Sequence, residues 1–352
     1  MKIDDKTSHN SPSIRFPEFT GEWEKCKIED ITDAVSSGKS KNHFSNGEYN
    51  LYGSTGIIGR TDKALYDGKL VLVARVGANA GFLQIINEPC GITDNTLILK
   101  PKGIDAFYLY YFLQHFNLNR LIFGSGQPLI TGGMLKKVKV SLGTISEQSK
   151  IVKFLSLLDE RIATQVRLID RLQSLMIGIA QKIAHSNKPN VRISDCLECS
   201  SSALQESEVN KTGKYPVYGA NGIVGYIDEY HTQNEAIYII KDGSGVGGVS
   251  YVTGKCSSTG TLNVLQAKNG HSLKYLYYLL KVFNFVPYKT GMAIPHIYFK
   301  DYGKAKIFCP AYPEQLEYAK LLSSIDGNLR IALDSLKNFN LQKQYLLRHM
   351  LI

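Results

Sequence analysis

Residues 144–185 read TISEQSKIVKFLSLLDERIATQVRLIDRLQSLMIGIAQKIAH. Ile151, Leu155, Leu158, Ile162, Ile169, Leu172, Met176, Ile179 and Ile183 recur three or four residues apart, interrupted at Gln165. That spacing lays one apolar stripe along about ten helical turns, and such a stripe needs a partner to bury it. Thr144 followed by Glu147 predicts a capping box at the start, and Pro189 prevents continuation. About forty residues at 1.5 Å each make a rod of about 60 Å. Leu322, Ile325, Leu329, Leu336, Phe339, Leu346 and Met350 repeat the rhythm later in the chain, so an antiparallel coiled coil of two long helices is expected.

Outward from the helix, the text repeats. Tyr52-Gly-Ser-Thr-Gly-Ile-Ile-Gly59 matches Tyr218-Gly-Ala-Asn-Gly-Ile-Val-Gly225, and at the same offset Arg75 meets Lys241, Gly77 meets Gly243 and Gly81 meets Gly247. Tyr108–Leu113 matches Tyr275–Leu280, Pro128 matches Pro295, and Glu147-Gln148 matches Glu314-Gln315 one residue further on. A constant offset over half a chain marks a duplication. The division expected is a first domain at 1–143, a spacer helix at 144–186, a second domain at 187–311 and a second spacer helix at 312–352. The class is α+β, two similar domains separated by the helix pair. Glycines match while the residues between them mostly do not, so one frame carries two different surfaces.

Within the first half, Leu70–Arg75 reads as a buried strand, Phe107–Phe116 as a core-facing helix, Phe123–Gly133 as a glycine-rich loop and Lys136–Val140 as a basic strand. The aromatics of Ile14–Trp23 pin an irregular segment onto the first domain.

Composition bounds the function. The 352 residues, 43% hydrophobic and 20% charged, suffice for two cores. No stretch has the length or apolarity of a membrane span, and no signal peptide is read, so a cytoplasmic protein is expected. Six scattered cysteines are read as reduced thiols. The net charge of +10 favours an anionic partner, and the excess is shared: residues 1–143 carry 17 basic against 14 acidic groups, and residues 186–311 carry 13 against 9.

Catalytic motifs do not fit. Asp33–Ser40 lacks the first glycine and the preceding buried strand of a phosphate loop. Gly243-Ser-Gly-Val-Gly-Gly248 is followed by a strand-like run rather than a helix, so a hairpin is expected. Cys196-Leu-Glu-Cys199 has metal-pair spacing but no second pair, and no metal is expected. No nucleophile elbow appears. The better candidates are basic and polar groups on loops, suited to holding phosphates and reading bases. In the first half these are Lys41, Arg60, Lys63, Arg75, Asn79, Gln127, Lys136 and Lys137; in the second, Lys211, Lys214, Lys241, Ser244, Lys289, His296, Tyr298 and Lys300.

Together, Arg15-Phe-Pro-Glu-Phe-Thr-Gly-Glu-Trp23, the duplicated Tyr-Gly-x-x-Gly-x-x-Gly turn, Gly126-Gln-Pro-Leu-Ile130, Ile294-Pro-His-Ile297 and the two Glu-Gln helix openings resemble the specificity subunits of Type I restriction-modification systems. The resemblance spans nearly the whole chain. It implies a non-enzymatic reader of double-stranded DNA, in which each domain recognises half of a split asymmetric target and the helices set the spacing. It also implies two methyltransferase subunits that methylate adenine N6 with S-adenosylmethionine, a cofactor this chain itself does not hold, and a translocating nuclease subunit. The sequence has neither an S-adenosylmethionine loop in context nor an Asn/Asp-Pro-Pro-Tyr/Phe tetrapeptide. Leu129 stands where the second half has His296, so that histidine's role does not transfer. A coiled-coil adaptor binding protein or carbohydrate is the alternative.

Overall fold

The structure, a computed structural model, describes residues 11–41, 46–122 and 128–352. It divides into two compact units, one made of residues up to Gln165 with Ser335–Ile352, the other of Val166–Asp334. Both long helices therefore contribute one part to each unit.

The first unit orders β1 (Glu24–Lys27), β2 (Thr32–Ser37), β3 (Tyr49–Gly53), β4 (Gly56–Thr61), β5 (Lys69–Ala74), β6 (Leu83–Asn87), β7 (Cys90–Ile92), β8 (Thr96–Pro101), α1 (Ala106–Phe116), α2 (Gly132–Lys136), β9 (Lys139–Leu142) and the start of α3 (Ile145–Ala184). Strands β2-β8-β5-β6 form an antiparallel sheet, β4-β3-β7 a second sheet, and β1 pairs with β9. Strand β5, LVLVA from Leu70, is buried on both faces because α1 covers one side and the second sheet the other.

The second unit repeats this plan. After the end of α3 come β10 (Val191–Arg192), α4 (Ile193–Cys196), β11 (Leu197–Ser201), β12 (Tyr215–Gly219), β13 (Gly222–Ile227), β14 (Glu235–Ile240), β15 (Val249–Thr253), β16 (Ser257–Ser258), β17 (Leu262–Ala267), α5 (Leu273–Val282), α6 (Phe299–Tyr302), β18 (Lys306–Ile307) and the start of α7 (Tyr312–Met350). Its sheets, β11-β17-β14-β15, β13-β12-β16 and β10-β18, reproduce the first unit's orders.

The helices pack on each other within each unit, and run antiparallel in the first. In the first, Ile151 and Leu155 share a buried cluster with Leu346, Leu347 and Met350, while Arg161 lies over the Phe339 ring at 5.1 Å. In the second, Leu329 of α7 lines a cavity with Met176, Ile177 and Ala180 of α3. The stripe residues Leu155, Ile169, Leu322, Ile325 and Leu329 are buried, and Leu158, Ile162, Leu172, Leu336 and Phe339 are half-buried. Met176 and Lys343 occupy equivalent positions with opposite chemistry. Lys343 is accommodated because Asp159, which accepts from Tyr111 Oη at 2.8 Å, pairs with its ammonium at 2.6 Å.

Each globular part is tied to the first turn of its following helix. Gln148 donates to the Gly143 carbonyl (2.9 Å) and accepts from the Asp105 amide (3.3 Å) at the N-cap of α1. Gln315 does the same with the Pro310 carbonyl (2.8 Å) and the Ser272 amide (2.8 Å) at α5. Glu147 departs from the expected capping box. The Thr144 hydroxyl accepts from the Glu147 amide at 3.3 Å, but the Glu147 carboxylate is taken by Arg15 (2.7 and 2.8 Å) and Trp23 Nε1 (3.1 Å). The irregular N-terminal segment is pinned by that pair and by Phe16 against Phe154.

Two local expectations are corrected. Lys136 ends helix α2 rather than starting a strand, because Thr131 caps Met134 (3.2 Å) and Leu135 enters the core; the strand begins at Lys139. Gly132 and Gly133 belong to that helix, while residues 123–127 of the expected loop lie outside the described residues. Asp33 lies within the largely exposed β2, and the residues before it, Ile28–Ile31, form a 3-10 turn rather than a buried strand, as the sequence reading expects.

In the first unit, Glu88, in the turn between β6 and β7, clamps β3. It accepts from Tyr52 Oη (2.6 Å) and Asn50 Nδ2 (2.9 Å), bonds that hold its carboxyl below the usual range, while burial first and then the bond to Glu88 push Tyr52 up to about 12. A carboxyl lowered by folding contributes stability that is complete above its unfolded pKa and is lost as pH falls through the folded one. Acid melts followed by Trp23 fluorescence should lose part of their pH dependence in Glu88→Gln, and identical slopes would refute the clamp.

Candidate nucleic-acid interface

Two loops and a hairpin recur at corresponding places in both units. In the first, the Gly77 amide donates to the Pro128 carbonyl, the Ile130 amide to the Arg75 carbonyl, and Val76 bridges Leu129. In the second, the Gly243 amide donates to Pro295, the Ile297 amide to Lys241, and Asp242 bridges His296. Gly77 (φ 80°) and Gly243 (φ 94°) occupy the left-handed region that a side chain would strain, which is why glycine matches at both. Leu129 and His296 are thus structurally equivalent.

The frame holds different side chains. His296 Nδ1 lies 2.6 Å from Asp242 Oδ1, its ring stacks against Tyr298 at 6.5 Å, and the Lys300 ammonium lies over the Tyr298 ring at 5.3 Å. Tyr298 and Lys300 are exposed. In the first unit the same place presents Leu129, itself exposed. Near the hairpin, Gln84 donates to the carbonyls of Gly53 (3.0 Å) and Ser54 (3.2 Å) and fills the gap to the sheet. The equivalent Ser250 is shorter, and a cavity of about 320 Å³ lined by Tyr218, Gly222 and Ser250 opens there.

Positive charge gathers in places. Lys41 and Lys63, with Lys39, line one cavity of about 290 Å³ beside Asp62. All three are exposed, and none forms an ion pair among the described residues. Arg60 is turned to its own hairpin, donating to the carbonyls of Gly47 (2.7 Å) and Glu48 (2.9 Å). Arg75 is half-buried; one guanidinium nitrogen reaches Ser37 Oγ at 3.3 Å and its Nε is buried without a partner among the described residues. Asn79 stands exposed on the loop after β5, as Ser244 does after β14, and Lys241 is half-buried beneath the latter. Lys136 and Lys137 are exposed at the end of α2; Lys211 and Lys214 are exposed at the base of the second hairpin, and Lys289 beside the Thr290–His296 bridge. Gln127 lies outside the described residues.

Sequence reasoning missed the apolar part of these surfaces. Ile57 and Ile223, equivalent residues at the two hairpin tips, are both more than half exposed, and Phe82 and Met292 project from the loops. The signal was available, since an Ile kept in both copies of a turn has no core to enter. Exposed apolar groups beside cations suit base edges, the thymine methyl above all. Lys255 is also placed usefully, 4.7 Å from the Tyr230 ring centroid.

Comparison with known proteins gives a consistent result. A family model described as the Type I restriction modification DNA specificity domain matches residues 20–174 and again residues 186–338. A Mycoplasma genitalium protein assigned as a type I specificity subunit is 26% identical over 256 residues, covering 65% of this chain and 66% of that protein. The Escherichia coli EcoprrI specificity subunit is 27% identical over 112 residues, 32% of this chain and 28% of its own. The curated relatives are therefore matched over less than two thirds of their lengths. The fold is that of the crystal structure of a Type I S subunit from M. genitalium, with a TM-score of 0.72 at 19% identity over 97% of this chain and 99% of that one. A chain from a structure concerned with assembly of the type I system gives a TM-score of 0.55 at 12% identity, over 94% and 97% of the two chains.

Proposed function

The chain belongs to the Type I restriction modification DNA specificity family, both of its halves matching the family's domain, and on that premise we propose that it reads a split, asymmetric sequence in double-stranded DNA. One observation carries the reading: a single backbone frame, fixed by the same hydrogen bonds in both units, presents His296, Tyr298 and Lys300 in one and an exposed Leu129 in the other. Each unit reads its own half-site by contacts to base edges, and exposed lysines hold phosphates.

Catalysis belongs to partners. Methyltransferase subunits carrying S-adenosylmethionine dock on the helices and methylate adenine, and a nuclease subunit adds restriction. Exposed apolar residues along α3 and α7, among them Leu157, Leu168, Leu175, Leu321, Ile331 and Leu341, support such docking, since solvated helix faces seldom carry so many. Among the described residues no helix is long and apolar enough to cross a membrane.

The test exchanges residues 1–143 for the corresponding part of another family member and maps methylated sites in cells by sequencing. One half of the methylated sequence should change while the other stays. A change in both halves, or no methylation dependent on this chain, would overturn the reading.

A further inference from the structure

Cys196, His271 and Cys309 meet inside the second unit from three separate places: the end of α4, the loop ahead of α5 and the stretch between β18 and α7. Their ligand atoms all lie within 4.8 Å of one another. Both cysteines are buried, and His271 Nδ1 is buried with no hydrogen-bond partner among the described residues. The backbone is fixed around them. The Lys268 amide donates to the Cys196 carbonyl (2.9 Å), and the Lys268 carbonyl accepts from the His271 amide (3.1 Å). The Asn190 side chain donates to the Cys309 carbonyl and accepts from the Cys309 amide, both at 2.8 Å.

The first unit shows what these positions hold otherwise. Lys102 donates to Ile31 as Lys268 does to Cys196; Tyr108 donates to the Ser141 carbonyl as Tyr275 does to Phe308; and Gln148 accepts from Asp105 as Gln315 does from Ser272. The counterparts of Cys196, His271 and Cys309 are therefore Ile31, Ile104 and Leu142, which pack in one hydrophobic cluster. A thiol can replace an aliphatic group at little cost. A buried imidazole nitrogen left without a partner cannot, unless something ligates it.

We propose that Cys196, Cys309 and His271 bind one zinc(II)-class cation in the second unit. Thiolate and imidazole are the donors such an ion prefers, whereas calcium and magnesium require oxygen. Two thiolates cancel the ion's charge, so the buried site is neutral; binding releases the two thiol protons, and water completes a tetrahedron. Tetrahedral ligand atoms stand about 3.5–3.8 Å apart, so the trio closes by about 1 Å on the ion. The ion then ties α4, the entry to α5 and the entry to α7 together.

The test uses the full chain, purified without chelator, with zinc content by atomic emission and cobalt(II) titration read by thiolate-to-metal charge-transfer absorption. The unchanged protein and Cys199→Ser should hold about one zinc per chain and develop the cobalt band. The combination Cys196→Ile, His271→Ile and Cys309→Leu, which installs the first unit's residues, should hold less than about a tenth as much and show no band. Should that combination misfold, His271→Ala must weaken cobalt binding by at least about tenfold. Folded protein with neither zinc nor cobalt band, including one with Cys196 and Cys309 joined as a disulfide, overturns the site. So does metal retained by the triple variant, or affinity unchanged in His271→Ala.

Discussion

Replacing Glu147 by Gln should destabilise the first unit by about 3–5 kcal/mol, the cost of stripping one partner from a buried ion pair. The Glu147 side chain is 1% exposed and Arg15 15%, so little solvent is at hand to take over the stranded guanidinium. Two parallel bonds at 2.7 and 2.8 Å mark the bidentate geometry in which an arginine–carboxylate pair is strong. Trp23 is the chain's single tryptophan, is buried, and donates to the same carboxylate. Its fluorescence therefore reports unfolding of this unit alone. A melting shift of about 6–20 °C is expected for a unit of this size. A loss below about 1 kcal/mol would equate the pair with a surface salt bridge and refute the account.

Removing Lys39, Lys41 and Lys63 together, each to Ala, should lower DNA affinity by about 10²–10³-fold at 0.1 M salt. Each phosphate contact lowers log affinity by about 0.9 per tenfold rise in salt, so three contacts are worth about 8-fold apiece at that concentration. These lysines line one cavity, are exposed and have no acidic partner within ion-pair distance among the described residues. The salt slope should fall by about 2.7 as well, and thermal stability should not. Binding measured by fluorescence anisotropy at several salt concentrations checks both, and a loss under about threefold would remove the cluster from the interface.

The long helices were legible because a 3.6-residue period survives whatever the neighbours are, and the duplication because glycines at positive φ cannot drift. Side-chain roles were less so. Arg60 reads as a phosphate-binding cation, yet its guanidinium holds Gly47 and Glu48, a bond set by hairpin register that no spacing announces. Cysteine spacing drew attention to Cys196 and Cys199, but Cys199 lies on β11. The groups that join Cys196 are far along the chain and adjacent only after the sheets form. Lys136 went to a helix end because a threonine cap outweighed the alternating pattern beyond it.

Gln148 and Gln315 grip main-chain atoms only, an amide at one end and a carbonyl at the other. A coupling that never touches a side chain is blind to the sequence it couples. Any head with this backbone can be plugged onto the helix that carries the glutamine, however far its loops have wandered. At the second joint the Glu314 carboxylate accepts from Tyr318 on its own helix, and Tyr318 stacks on Tyr275 of α5 at 6.1 Å, whereas the first adds a private key in Arg15 and Trp23. New specificities can then arise by recombination at the joints faster than by point change in the loops.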